Sequence, residues 1–238
     1  MQTKILIRVA LGVALLLPAA APAQPPRGHK PKATKAARAA APAADAVRIA
    51  PSAEAVRVID WISATGDNHA LPWVVVDKRN AAMFLFDARG KPRAAVPVLV
   101  GIATGDEATP GVGSKRLGQL GPAEKTTPAG RYLARFGIPV AGERILWVDY
   151  ATSVAIHPIP GDAGPREKRR ERMLSSTPDD NRITFGCINV PKAFYAKALR
   201  PLFQKKGGYV YILPDSKPIE QVFPNLRMEA VRQAIVPG

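Results

Sequence analysis

The chain contains little that could hold it together covalently or through a metal ion. Its 238 residues include one cysteine, Cys187, and three histidines. No internal disulfide can form, and these residues do not make a spaced set of zinc ligands. Zinc-finger, helix-turn-helix and aromatic RNA-binding signatures are also missing from the sequence, which argues against a nucleic-acid partner. We therefore expect a core of ordinary apolar packing, without a metal or organic cofactor.

Acidic residues are scarce compared with basic ones. Lys and Arg number 34 against 19 Asp and Glu, which gives a formal net charge of +15. Five of the basic residues, and no acid, lie in an Ala/Pro/Lys tract at 24–44 that has nothing to bury, so we predict a disordered linker. This tract either attracts anionic envelope polymers or is simply a solvated spacer.

The first 23 residues have the pattern of a secretory signal peptide. Lys4 and Arg8 supply positive charge around an apolar core, and Ala21-Pro22-Ala23 offers a small-x-small cleavage site. The pattern predicts export to the periplasm with cleavage; an uncleaved membrane anchor is the alternative. No other apolar run approaches the length of a membrane span.

We expect one domain after the linker, preceded by a helical segment at 45–68. In that segment Ser52 is a plausible N-cap, Gly66 a plausible end, and Val56, Ile59 and Ile62 would form the apolar face. The main domain is predicted at 69–214 and a C-terminal extension at 215–238. Short β-rich segments dominate 69–214 and predict a mainly β fold of mixed sheets with a few helices, and they begin at Trp73, Ala82, Ala94, Gly130, Arg144, Ser153 and Tyr209.

Cys187 raises the central functional question. In an oxidising compartment an unpaired thiol points to a reactive group or an intermolecular bond, although an inert buried cysteine is the alternative. Gly186 precedes it, so the backbone there can approach a substrate closely and direct amide groups at an oxyanion. His157 ends a β segment and is the natural base. This pairing predicts a thiol pKa below the ordinary value of about 8.5.

Four ordered segments resemble the L,D-transpeptidases of bacterial peptidoglycan. The segment "TFGCIN" at Thr184 to Asn189 is similar to that family's nucleophile motif, and His157 matches its upstream histidine. "TTPAGRY" at Thr126 to Tyr132 and the opening strands from Trp73 are similar to two further family motifs. The resemblance covers Trp73 to Pro214.

This resemblance implies an L,D-transpeptidase-type β-sandwich and a cysteine acyltransferase of the cell envelope. It assigns Cys187 as nucleophile and His157 as base and then acid, with the amides of Gly186 and Cys187 as oxyanion hole. Thr184, Asn189 and Phe185 would orient the loop or contact substrate. The substrate would be a stem tetrapeptide of peptidoglycan, which forms a thioester through its third residue and releases D-Ala. Carbapenems are implied as covalent inhibitors.

The sequence departs from the family pattern in three places. Phe185 stands where many members have histidine, Pro158 replaces a glycine after the first histidine, and a basic insert lengthens the chain between His157 and Cys187. We interpret this insert as a lid or acceptor-recognition element suited to carboxylates, or else as a surface loop. The arginines considered for that role are Arg166, Arg169, Arg170 and Arg182.

Other readings of the same residues remain open. A hydrolytic L,D-carboxypeptidase would give the thioester to water, and a catalytically silent module would only bind peptidoglycan. The amine acceptor could be a second stem peptide, an anchored envelope protein or a free D-amino acid. The sequence does not distinguish these acceptors.

Overall fold

The computed structural model describes residues 49–137, 143–161 and 163–227. The predicted signal peptide at 1–23 and linker at 24–44 lie outside the described residues, as does the end of the C-terminal extension. None of the helices in the described ranges is long and apolar enough to cross a membrane.

The fold is mainly β, as the sequence predicts. Eight strands form one mixed sheet in the order β3-β2-β1-β10-β5-β6-β7-β9, and β4 pairs with β8 in a small parallel sheet. The strands are β1 (Trp73–Asp77), β2 (Ala82–Phe86), β3 (Pro92–Pro97), β4 (Val100–Gly101), β5 (Gly130–Phe136), β6 (Leu146–Asp149), β7 (Val154–Pro158), β8 (Arg182–Thr184), β9 (Ile188–Val190) and β10 (Gly208–Ile212).

The large sheet folds over on itself at β5. The first part of β5 pairs with β10, whereas Arg135 and Phe136 at its end pair with β6. The two halves enclose one apolar core, to which Val74 and Ile156, among others, contribute from opposite halves. Leu99, just after β3, exchanges backbone hydrogen bonds of 3.0 and 2.9 Å with Asn189 of β9, so the two sheet edges nearly meet. Strand β9 and its neighbour β7 therefore lie where the two edges of the large sheet approach each other.

Helix α1 (Ala53–Thr65) covers the outer face of β1 and β2. Ser52 caps its start, accepting a 3.1 Å hydrogen bond from the Ala55 N–H, and Gly66 ends it with a left-handed φ of 68°. The predicted apolar face is wrong in one respect, because Val56 is 40% exposed. The residues that bury the helix are Ala55, Val58, Trp61 and Ile62.

A second helical segment packs against the enclosed core. It runs from α3 (Lys192–Phe194) through a π-helical turn (Tyr195–Leu199) into α4 (Arg200–Phe203). Pro201 has no N–H to donate to the carbonyl four residues earlier, and this accounts for the local change of hydrogen-bond register. The described part of the C-terminal extension contains α5 (Ile219–Val222), which packs on the α1 side.

The long loop between β4 and β5 is shaped by three short 3₁₀ turns at Val112–Ser114, Leu117–Gln119 and Pro122–Glu124. The basic insert contains a 3₁₀ turn (Pro165–Glu167) and α2 (Arg169–Met173), which flank Lys168, whose φ is 48°. The insert leads through β8 into the segment that carries Cys187.

Candidate active site

His157 and Asn189 lie opposite each other on two adjacent parallel strands, and Cys187 directly precedes the second strand. In the pairing of β7 with β9, Ile156 is opposite Ile188 and His157 is opposite Asn189. Side chains alternate between the two faces of a strand, so the isoleucines enter the core while His157 and Asn189 occupy the other face. Cys187 lies one residue before β9 and two residues before Asn189. The register therefore places the segment that carries the predicted nucleophile next to the strand that carries the predicted base.

The backbone fixes the tautomer of His157. Its Nδ1 lies 2.8 Å from the carbonyl oxygen of Pro158, so Nδ1 carries the proton and Nε2 keeps a free lone pair. Burial lowers the pKa of His157, and the positive charge of Arg169 acts in the same direction, against the opposing effect of the Pro158 carbonyl. The imidazole is therefore neutral at neutral pH and its Nε2 is available as a base.

The thiol of Cys187 is half-buried and its Sγ donates a 3.5 Å hydrogen bond to the Ser153 carbonyl. Burial raises the pKa of this thiol, and a backbone hydrogen bond at Ala155 and the charge of Arg169 offset the effect only in part. Our prediction of a lowered thiol pKa is therefore wrong. It neglected the cost of charging a sulfur surrounded by protein atoms. The resting pair is a neutral thiol beside a neutral imidazole.

Asn189 joins His157 to the basic insert. The Asn189 side chain is fully buried; its Nδ2 lies 3.3 Å from Nε2 and 3.5 Å from Nδ1 of the imidazole, so it contacts the ring without lying end-on to either nitrogen. Its Oδ1 accepts a 2.8 Å hydrogen bond from Nη1 of Arg169. Glu167 holds the same guanidinium through a 2.6 Å bond to Nε. The insert thus delivers one positive charge to the site.

Thr184 shapes the turn before the cysteine. Its hydroxyl donates a 2.5 Å hydrogen bond to the Cys187 carbonyl and accepts one of 3.3 Å from the Gly186 N–H. Gly186 has a φ of 120°, and a Cβ there would lie only 2.7 Å from the Thr126 carbonyl oxygen. A glycine is therefore needed for both its conformation and its packing. Thr184 is buried, so it orients this turn from within.

Phe185 is at the surface of the same turn. The ring is 39% exposed and the ammonium group of Lys125 lies 4.1 Å from its centroid. Cation–π contact of this kind stabilises an exposed aromatic ring and leaves the rest of its surface free. Phe185 thus presents a partly exposed apolar ring two positions before Cys187 in the chain.

The four arginines of the predicted acceptor element are in different surroundings. Arg169 reaches the site, whereas Arg166 and Arg170 are exposed. Arg182 instead forms a 2.6 Å ion pair with Asp215, whose side chain is buried. A cavity of about 380 Å³ adjoins the site beside Pro158, and its charged lining residues are Glu143, Lys168, Arg169, Arg170, Glu171 and Lys192.

Several contributors were not predicted from the sequence. The carbonyls of Pro158 and Ser153 contact the imidazole and the thiol. They belong to the backbone, so the residue type does not predict their role. Ser153 has a left-handed φ of 57°, a conformation that the surrounding sequence does not predict. Within the described ranges, no group of three or more His, Cys, Asp or Glu side chains is placed to hold a metal ion.

No family model and no curated protein matches the chain. Similar solved structures include the helical cell shape determining protein Pgp2 from Campylobacter jejuni, at 19% identity and a TM-score of 0.41, covering 66% of this chain and 55% of that one. The L,D-transpeptidase (residues 123–326) from Xylanimonas cellulosilytica DSM 15894 is similar at 14% identity and a TM-score of 0.36, with 60% of each chain covered. The catalytic domain of the E. faecium L,D-transpeptidase is similar at 20% identity and a TM-score of 0.31, with 59% of this chain and 95% of that one covered. The chain thus spans 55 to 60% of the first two, and all three similarities are remote.

Proposed function

We propose that the protein is an L,D-transpeptidase of the cell envelope that transfers a peptidoglycan stem peptide through a thioester on Cys187. The observation that carries the proposal is the parallel pairing of β7, which contains His157, with β9, which Cys187 directly precedes; Nε2 of the imidazole is left as the basic nitrogen. A thiol and a base on neighbouring segments suit nucleophilic acyl transfer. The family motifs in the sequence supply the substrate class.

The proposed first step breaks the amide bond between the third residue and the terminal D-Ala. His157 Nε2 takes the thiol proton as Sγ bonds to the carbonyl carbon, because neither group is charged at rest. The imidazolium then returns the proton to the leaving D-Ala nitrogen, and the C–N bond breaks. In the second step an amine attacks the thioester carbonyl and His157 takes its proton; the N–C bond forms, the C–S bond breaks, and the proton passes to Sγ to regenerate the thiol.

The oxyanion needs a backbone donor. Since the Gly186 N–H is directed at Thr184 Oγ1, we assign this role to the Cys187 N–H alone. One preorganised donor of this type contributes about 100- to 1,000-fold to acyl transfer.

The basic cavity beside Pro158 is the proposed acceptor side. Arg169 and Arg170 line it and can pair with the carboxylates of an acceptor stem peptide, while Glu143 is suited to an ammonium group. Arg166 is exposed just outside, and we leave Arg182 out because its charge is paired with Asp215.

Incubation with disaccharide-tetrapeptide followed by mass spectrometry tests the proposal. A cross-linked dimer lacking one D-Ala is the expected product, and Cys187→Ser should form none. A tripeptide without dimer would identify the hydrolytic L,D-carboxypeptidase. No product, with the thiol intact and the protein folded, would identify the silent binding module and contradict the proposal.

A further inference from the structure

The backbone behind Cys187 is held by a buried threonine that the mechanism has not used. Thr127 is 1% exposed, and its hydroxyl donates a 2.8 Å hydrogen bond to the Gly186 carbonyl. The same hydroxyl accepts a 2.8 Å bond from the Gly101 N–H. A hydroxyl has one proton to donate, so its rotation is fixed by this pair of bonds.

This contact determines where the Cys187 N–H points. The peptide unit between Gly186 and Cys187 is planar and trans, so its C=O and N–H point in opposite directions. Since the carbonyl is directed at buried Thr127, the Cys187 N–H is directed away from Thr127. Thr184 acts on the neighbouring groups, the Gly186 N–H and the Cys187 carbonyl. Thr127 is the side chain that fixes the plane in between.

Thr127 is itself anchored by a buried lysine. The Lys78 ammonium group donates to the carbonyls of Thr127 at 2.9 Å and Gly105 at 2.5 Å, and to Asp106 Oδ1 at 3.1 Å. Asp215 lies 3.2 Å from the same nitrogen and also pairs with Arg182. We call Lys78, Asp106, Asp215 and Arg182 the Lys78 cluster. It contains two charges of each sign, and shifting Thr127 would break one of its hydrogen bonds.

We infer that Thr127 is a positioning residue, which holds the Cys187 N–H in the direction where an oxyanion develops during acylation, and that Lys78 holds Thr127 in place. The inference rests on the proposed function, because an oxyanion forms only if Cys187 attacks a carbonyl carbon. It assigns the "TTP" segment a role in transition-state stabilisation through the backbone.

Two reactions of the same thiol separate this role from a merely structural one. Alkylation by iodoacetamide displaces iodide as the S–C bond forms and creates no oxyanion. Acylation by a carbapenem adds Sγ to the ring carbonyl to give an oxyanion, whose collapse breaks the C–N bond, and the ring nitrogen takes the proton lost by the thiol. Thr127→Val, which removes only the hydroxyl, should slow acylation about 10- to 100-fold. It should leave the rate and pH profile of alkylation unchanged, and Thr127→Ser should restore acylation.

Thr126→Val is the matched control, because its hydroxyl bonds to the Ala123 carbonyl at 3.3 Å and not to the turn. It should acylate like the wild type. If Thr127→Val does not fold, Thr127→Ala provides the same loss of the hydroxyl. Equal acylation by the variant and the wild type would overturn the inference alone, as would equal losses in acylation and alkylation. A wild type that alkylates but never acylates would overturn the proposed function as well.

Discussion

The Lys78 cluster and the Cys187–His157 site both place polar side chains at or near strand ends, yet they are bonded very differently. All three N–H groups of Lys78 have oxygen partners, and both carboxylate oxygens of Asp106 accept hydrogen bonds. At the site, by contrast, the thiol has a long 3.5 Å bond to the Ser153 carbonyl and a backbone hydrogen bond at Ala155, and Nε2 of His157 has an oblique contact with Asn189. Saturated groups stabilise a structure, whereas groups with free capacity can react with a substrate.

The Lys78 cluster and the Cys187–His157 site also differ in the charge of their groups at rest. Burial opposes ionisation of Asp106, but the amides of Lys217, Asp215 and Ser216 and the Lys78 ammonium outweigh it and hold the pKa of this carboxyl well below its usual range. For Cys187, burial is the larger effect and keeps the thiol neutral. The first centre is charged at rest, and the second acquires charge only during the reaction.

The largest loss of activity should follow removal of the base. His157→Ala leaves the thiol without a proton acceptor, so transfer from the tetrapeptide should fall about 100- to 10,000-fold. The folded state should survive, since His157 lies on the face opposite to the core residue Ile156. His69→Ala, at a loop outside the site, is the control for imidazole loss in quantitative product analysis. Activity equal to wild type would remove His157 from the mechanism.

Removing the ammonium group of the Lys78 cluster should lower the stability of the fold. Lys78→Met leaves Asp106 and Asp215 with only Arg182 as a cationic partner, so the free energy of unfolding should fall by about 3 to 5 kcal/mol in urea titrations. Lys115→Met, which breaks the exposed pair with Glu124, should have a much smaller effect. Similar losses from both variants would contradict the assignment of the cluster as a structural centre.

The same cluster predicts acid sensitivity. A carboxyl whose pKa is lower in the folded state contributes stability above its unfolded value and loses it as the pH falls. The wild type should therefore lose stability progressively below about pH 4 through protonation of Asp106. Thermal melts between neutral and acidic pH measure this, and an unchanged melting temperature would show that the bonds to Asp106 contribute little.

Arg169 is the charge that connects the insert with the site, and its loss should have an intermediate effect. Its positive charge lowers the pKa of both Cys187 and His157, so Arg169→Gln should raise both. Alkylation of Cys187 near neutral pH should slow several-fold, and in the wild type it should keep rising above about pH 8.5. Arg170→Gln, on the same helix but exposed, is the matched control. Identical pH profiles for Arg169→Gln and wild type would contradict the electrostatic role.

The smallest effect is expected at the rim of the acceptor cavity. The double variant Arg166→Glu and Arg170→Glu should raise KM for the acceptor a few-fold without changing kcat, and added salt should raise it in the wild type. The double variant Arg89→Glu and Lys91→Glu, in the exposed turn between β2 and β3, controls for the same change of net charge. Unchanged kinetics would make the exposed arginines a surface feature of the insert.

The sequence was sufficient for those parts of the fold that depend on local pattern. The apolar block at β1 and the cap at Ser52 are predicted from neighbouring residues and are confirmed, whereas the pairing of Cys187 with His157 stays a prediction from two motif residues. The face of α1 was misassigned because Val56 and Val58 fit the helical period equally well, and only packing on the sheet distinguishes them.

The contacts around the site could not be predicted in this way. The bond between Thr127 and Gly186 spans 59 positions, and that between Asp215 and Asp106 spans 109. The chain topology brings such partners together. The presence of a single lysine or threonine in the sequence does not indicate which distant residue it will contact. The raised pKa of Cys187 depends likewise on the surrounding protein atoms.

Intact-protein mass spectrometry with a carbapenem determines whether Cys187 performs acyl transfer. The strained ring carbonyl should react with the thiol to give one adduct of the intact drug mass, mapped by digestion to the peptide containing Cys187 and absent from Cys187→Ser. Iodoacetamide labelling of the same preparation shows that the thiol is accessible. A folded wild-type protein whose thiol alkylates but takes up no carbapenem would contradict the account.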